Sequence, residues 1–90
     1  AQYSLLSMPN GGVVDDIIIY CFEPGARYLV CVNASNVEKD FSWMKENNRG
    51  AVLKNVSADW GQIAIQGPRA LELIEDVLSQ GANDIDVAKM

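Results

Sequence analysis

The chain has 90 residues, a formal net charge of −5, and is 49% hydrophobic and 21% charged, which bounds one small domain with a modest core and the composition of a soluble globular chain. Lys and Arg are scattered rather than gathered in a basic patch, and no run is long and apolar enough to span a bilayer, so nucleic acid and membrane are not expected partners. There is no histidine, which excludes a histidine-based triad within the chain, and no metal-ligand cluster stands out.

Tyr3 to Met8 reads as a short strand, and the following Pro9-Asn10-Gly11-Gly12 carries a strong hairpin signal. Taking Asn10-Gly11 as a two-residue turn sets Tyr3 opposite Ile18 and Leu5 opposite Asp16. The next strand, Gly11 to Tyr20, is built mostly of β-branched residues, yet Asp15 and Asp16 sit in its middle. Strand alternation places Val14, Asp16, Ile18 and Tyr20 on one face, and Asp15, Ile17 and Ile19 on the other. At least one carboxylate must therefore meet a mainly apolar surface, at a cost unless something hydrogen-bonds it. Two readings stay open. A nitrogen-bearing ligand supplies the partner, or an exposed Asp stands beside a buried one satisfied by backbone N–H groups. Alternation alone favours the second. In this register Tyr3, Asp16, Ile18 and Tyr20 cluster, giving two aromatics that bracket a carboxylate. That is a platform for a flat heterocycle, and a slip of one residue would destroy it.

Glu23-Pro24-Gly25-Ala26 fits a type II turn and leads into a strand from Arg27 to Val32. Cys21 and Cys31 flank that turn. They could approach across the hairpin, and by default read as small buried hydrophobes. Asn33 sits where strand gives way to helix, a place where side chains meet ligands and equally a place for a local backbone bond. Ser35 and Glu38 fit a capping box, and Val37, Phe41 and Met44 give the core face of a helix from about Asn36 to Glu46, with Trp43 at its margin. Ala51 to Val56 and Gly61 to Gln66 are candidate strands. Asn55-Val56-Ser57 matches a glycosylation acceptor, a pattern common by chance. Gly67-Pro68 opens a second helix whose apolar stripe is Leu71, Ile74, Val77 and Leu78, with Gly81 as its stop and a possible final strand beyond.

The order β-β-β-α-β-β-α implies an α+β fold, an antiparallel sheet with two helices on one face, in a single fragment 1–90 without an internal boundary. The other sheet face is left for a ligand or for further chain. Both ends read as cut from something longer.

Three segments taken together resemble the aminomethyltransferase family, with the T-protein of the glycine cleavage system as the nearest likeness. They are Gly11-Gly12-Val13-Val14-Asp15-Asp16-Ile17-Ile18-Ile19-Tyr20, then Val32-Asn33-Ala34-Ser35-Asn36-Val37-Glu38-Lys39-Asp40 with Trp43, then Ile63-Ala64-Ile65-Gln66-Gly67-Pro68-Arg69-Ala70. The likeness runs from about Tyr3 to Leu78 and implies an internal piece of a folate-binding region. It implies an enzyme that takes the aminomethyl group from the lipoyl arm of H-protein, releases ammonia and forms methylenetetrahydrofolate. It marks Asp16 as the residue tied to catalysis, and Tyr3, Asp16, Ile18, Tyr20 and Asn33 as folate contacts. Tetrahydrofolate is the implied co-substrate, lipoate the group carried on the partner, and H-protein the implied partner. The implied setting is the bacterial cytoplasm, or the mitochondrion in a eukaryote. Within the same superfamily the alternatives are a folate-dependent demethylase or the folate domain of a dimethylglycine- or sarcosine-oxidising enzyme. A non-catalytic folate-binding relative is a further alternative, which Asp16 counts against. The resemblance also implies site residues outside this chain, so the 90 residues alone are expected to show negligible transfer. Measured turnover of this piece with H-protein and tetrahydrofolate would refute that.

Overall fold

The structure is a computed structural model that describes residues 1–80. The expected Gly81 stop and final strand lie outside the described residues. Contacts group the chain into two compact units, Ala1–Ala58 and Asp59–Met90.

The first unit is built on a three-stranded antiparallel sheet in the order β1-β2-β3, with β1 at Gln2–Ser7, β2 at Val13–Glu23 and β3 at Arg27–Cys31. Tyr3 pairs with Ile18 and Leu5 with Asp16, as the turn count expects. The turn itself differs from the expectation. The Gly11 N–H donates to the Met8 carbonyl at 3.0 Å and the Met8 N–H to the Gly12 carbonyl at 2.7 Å, so the loop is Pro9-Asn10-Gly11. Gly11 sits at φ +88°, in the left-handed region, and the Asn10 side chain accepts the Gly12 N–H at 2.9 Å. This longer loop would shift the register by one. A bulge restores it, because Leu6 pairs with Asp15 but Ser7 with Val13, leaving Val14 as the extra residue.

The second hairpin turns through Glu23–Ala26 as expected, with the Ala26 N–H on the Glu23 carbonyl at 2.9 Å and Gly25 at φ +76°. Ile18 pairs with Cys31 and Cys21 with Tyr28, so the two cysteines are not cross-strand partners. Cys21 is exposed rather than buried, since it lies where β2 runs out beyond β1.

A 3-10 turn over Ala34–Asn36 leads into α1, Val37–Glu46. The expected capping box is not made. Ser35 lies inside the 3-10 turn, Asn36 takes the N-cap position, and no side chain caps the helix. Two links tie α1 to β2: the Lys39 ammonium donates to the Val14 carbonyl at 3.0 Å, and the buried Asp40 meets Asp15. Ile17 is the buried apolar residue among those described.

The expected strand at Ala51 to Val56 does not form. Asn48 donates to the Ala51 carbonyl at 2.7 Å and accepts the Ala51 N–H at 3.0 Å, and Asn55 accepts the Ser57 N–H at 3.1 Å. The Asn48 bonds take both backbone groups of Ala51, which a ladder would use, and the Asn55 bond turns the chain at the segment's end.

In the second unit Gly61 to Gln66 likewise pairs with no strand among the described residues, and Ile63 is 88% exposed. Alternation supplies a face but not a neighbouring edge. The second helix, α2, runs over Ala70–Ser79, two residues later than Pro68, because Gly67 to Ala70 closes a turn first. Arg69 and Glu72 form a two-pronged pair at 2.9 Å. Of the apolar stripe, Leu71 and Val77 stay exposed while Ile74 and Leu78 are half-buried.

Gly11 has open space around a prospective Cβ, so its strain on substitution is purely conformational. In the full-length protein Gly11→Ala is expected to cost about 1 kcal/mol by denaturant unfolding. Gly61→Ala, with open space and no left-handed backbone, is the neutral control. Equal stability of the two variants contradicts this account of the turn.

Candidate functional site

Pairing places the two neighbouring carboxylates on opposite faces of β2. Asp15, across from Leu6, is buried at 8% exposure; Asp16, across from Leu5, is exposed. Carried two residues past β3, the β2–β3 register sets Asn33 across from Asp16. Its side-chain amide donates to Asp16 Oδ1 at 3.0 Å and to Asp15 Oδ1 at 2.7 Å, and approaches the Asp16 carbonyl at 3.3 Å. A recess of about 150 Å³ opens here, lined by Tyr3, Asp16, Ile17, Ile18, Cys31, Val32 and Asn33. It offers an exposed carboxylate acceptor, an exposed phenol and an apolar floor. A volume this small takes the edge of one ring system rather than a whole extended ligand.

Behind the recess lies a second acidic contact. Asp15 Oδ1 also accepts the Asp16 N–H at 3.0 Å, and Oδ2 accepts from the Asn36 amide at 3.2 Å. Asp40, reaching in from α1, is completely buried, and neither of its carboxyl oxygens receives a donor. What it meets is the Asp15 carboxyl. Two carboxylates are two acceptors, so this contact becomes a hydrogen bond only with a proton between them. Burial first, then Asp15, pushes the Asp40 carboxyl up to about 6, with Lys39 opposing. The bond from Asp40 first, then Asn33, Asn36 and the Asp16 N–H, hold Asp15 far below the usual carboxylate range against the opposing push of burial.

A larger concavity, about 870 Å³, lies in the second unit between Ile65 and Asp76. Its charged groups include Arg69 and Glu72, which satisfy one another.

The profile of the GCVT N-terminal domain family matches residues 1–90. The chain belongs to this family. It is 57% identical over its whole length to an aminomethyltransferase of Bdellovibrio bacteriovorus and covers 24% of that protein. It is 45% identical to the aminomethyltransferase of Listeria welshimeri over its whole length, covering 24% of it, and 41% identical to that of Bacteroides thetaiotaomicron over 97% of the chain, covering 23%. The chain thus spans about a quarter of the length of these relatives. No solved structure gives a significant match.

In this GCVT domain piece, four of the residues marked from the sequence, Tyr3, Asp16, Ile18 and Asn33, line the one recess. Tyr20 follows Ile18 on the same face of β2 and does not line it. The sequence reading missed Asp15, Asn36 and Asp40 as a connected set. The available signal was Asp40 itself, which shares a helical face with Val37 and Met44 and is the one charged residue there.

Between about pH 4 and about 6 the folded chain keeps the Asp40 proton that an unfolded chain has released. This group's stabilising contribution is therefore complete below about 4 and lost as pH rises through about 6. Denaturant titrations of the full-length protein across that window are expected to show stability falling relative to Asp40→Asn. Parallel curves contradict it.

Proposed function

We propose that this chain forms part of the folate site of an aminomethyltransferase. On this reading the intact protein takes an aminomethyl group from the lipoyl arm of H-protein, releases ammonia and forms methylenetetrahydrofolate. Family membership and relatives named aminomethyltransferase support the class of enzyme. The observation that carries the site is the exposed Asp16 carboxylate, steadied by the Asn33 amide at 3.0 Å in a recess beside Tyr3.

The residues fit a pterin edge. Asp16 accepts from ring N–H groups, Tyr3 offers apolar area with a hydroxyl, and Ile18, on the same face of β2 as Asp16, adds apolar area. The Asp16 carboxylate also favours positive charge that develops on a nearby nitrogen during carbon transfer, and can accept or relay a proton there. With Asn33 holding one oxygen, the other is left for the substrate, so the group is oriented before the reaction begins. The recess is too small for a whole folate, so the remainder of the ligand and the H-protein arm fall to the rest of the protein.

Asp16→Asn in the full-length enzyme is the test. It keeps shape and removes charge at an exposed position, so thermal stability is expected to hold while the transfer rate falls by about a hundredfold or more. An unchanged rate sinks the reading, and a fall in stability that accounts for the lost rate makes Asp16 merely structural.

A further inference from the structure

Asn33 makes the contact that orients Asp16, and its strongest partner is not Asp16 but the buried Asp15, at 2.7 Å against 3.0 Å. Asp15 in turn is fixed by three N–H donors and by whatever Asp40 supplies. Asp40 has no donor of its own on either oxygen and no exposure to water. Nothing in the folate reading requires a buried carboxyl at this place. A methylene-bearing apolar residue would fill α1's face with no polar atom to satisfy.

We propose that Asp40 and Asp15 share one proton, and that this buried pair is a positioning device for Asn33 and, through Asn33, for the substrate-facing Asp16. With the proton on Asp40, its O–H donates to Asp15, which stays ionised and holds the Asn33 amide. When that proton leaves, two anions face one another out of water, and the cluster relieves the repulsion by parting. Asp15 then no longer fixes Asn33, and Asp16 loses its orientation. The charged groups acting on Asp40 are Asp15 from β2 and Lys39 from its own helix, and Asp16 stands beyond Asp15 across the Asn33 bridge. Asp40 and Asp15 touch no substrate in this scheme; they act through Asn33.

The inference rests on the folate reading, and one experiment separates the two. Tetrahydrofolate affinity of the full-length enzyme is measured anaerobically between about pH 5.5 and about 7.5 in wild type, Asp40→Asn, Asn33→Ala and Asp16→Asn. In wild type the dissociation constant is expected to rise at least about threefold across that range. Asp40→Asn, whose amide donates to Asp15 at every pH, is expected to give a flat profile. Asn33→Ala breaks the link and is expected to bind more weakly with a flat profile too. A wild-type slope retained in Asp40→Asn or in Asn33→Ala overturns the positioning device. Should Asp40→Asn not fold, Asn33→Ala, altered at an exposed position, decides alone. If Asp16→Asn binds as well as wild type at about pH 5.5, the folate reading fails and the inference falls with it. If Asp16→Asn binds weakly while Asn33→Ala keeps the slope, the inference alone is overturned.

Discussion

The Asn33 side-chain amide reaches carboxylates on both faces of one strand, and the geometry of the site depends on that reach. Neighbouring strand residues point to opposite sides, so an ordinary cross-strand partner meets only one of them. Asn33 meets both because β3 has ended at Cys31 and the chain is about to turn into the Ala34–Asn36 turn, with Asn33 still extended at φ −66°, ψ 133°. Its main chain continues the register opposite Asp16 while its side chain bridges over to Asp15. A strand that continued through Asn33 would present it to a single face.

The two aspartates consequently do different work. Asp15 is enclosed, supplied with donors and kept ionised; Asp16 is left open to whatever enters the recess. The enclosed member meets Asp40 of α1, and Lys39 of the same helix donates to the Val14 carbonyl, while Val37, Phe41, Trp43 and Met44 of α1 are half-buried. Packing of the helix and orientation of the substrate-facing carboxylate thus share one set of hydrogen bonds.

The register of β1 against β2 was legible because turn residues announce themselves, but the count succeeded through two departures that cancel. The loop takes one residue more than Asn10-Gly11, and the bulge at Val14 gives one back. Alternation in β2 correctly separated Asp15 from Asp16, and the reading of a buried Asp satisfied by backbone N–H groups holds in part, since one such group, that of Asp16, reaches Asp15. It did not foresee the amides of Asn33 and Asn36 joining that backbone group. Asp40 went unseen because a helical stripe is read by its apolar members, and a charged residue is assumed to face water. Ala51 to Val56 and Gly61 to Gln66 failed as strands for a different reason. Alternation is a property of one segment, whereas a ladder needs an edge, and Asn48 claims the backbone groups of Ala51 at the start of the first segment.

The most direct measurement is a crystal structure of the full-length protein with tetrahydrofolate bound. The account requires pterin nitrogens within hydrogen-bonding distance of the Asp16 carboxylate, the ring edge in the recess beside Tyr3, and the Asn33 amide still on both aspartates. A pterin seated elsewhere, with Asp16 facing only solvent, would contradict it.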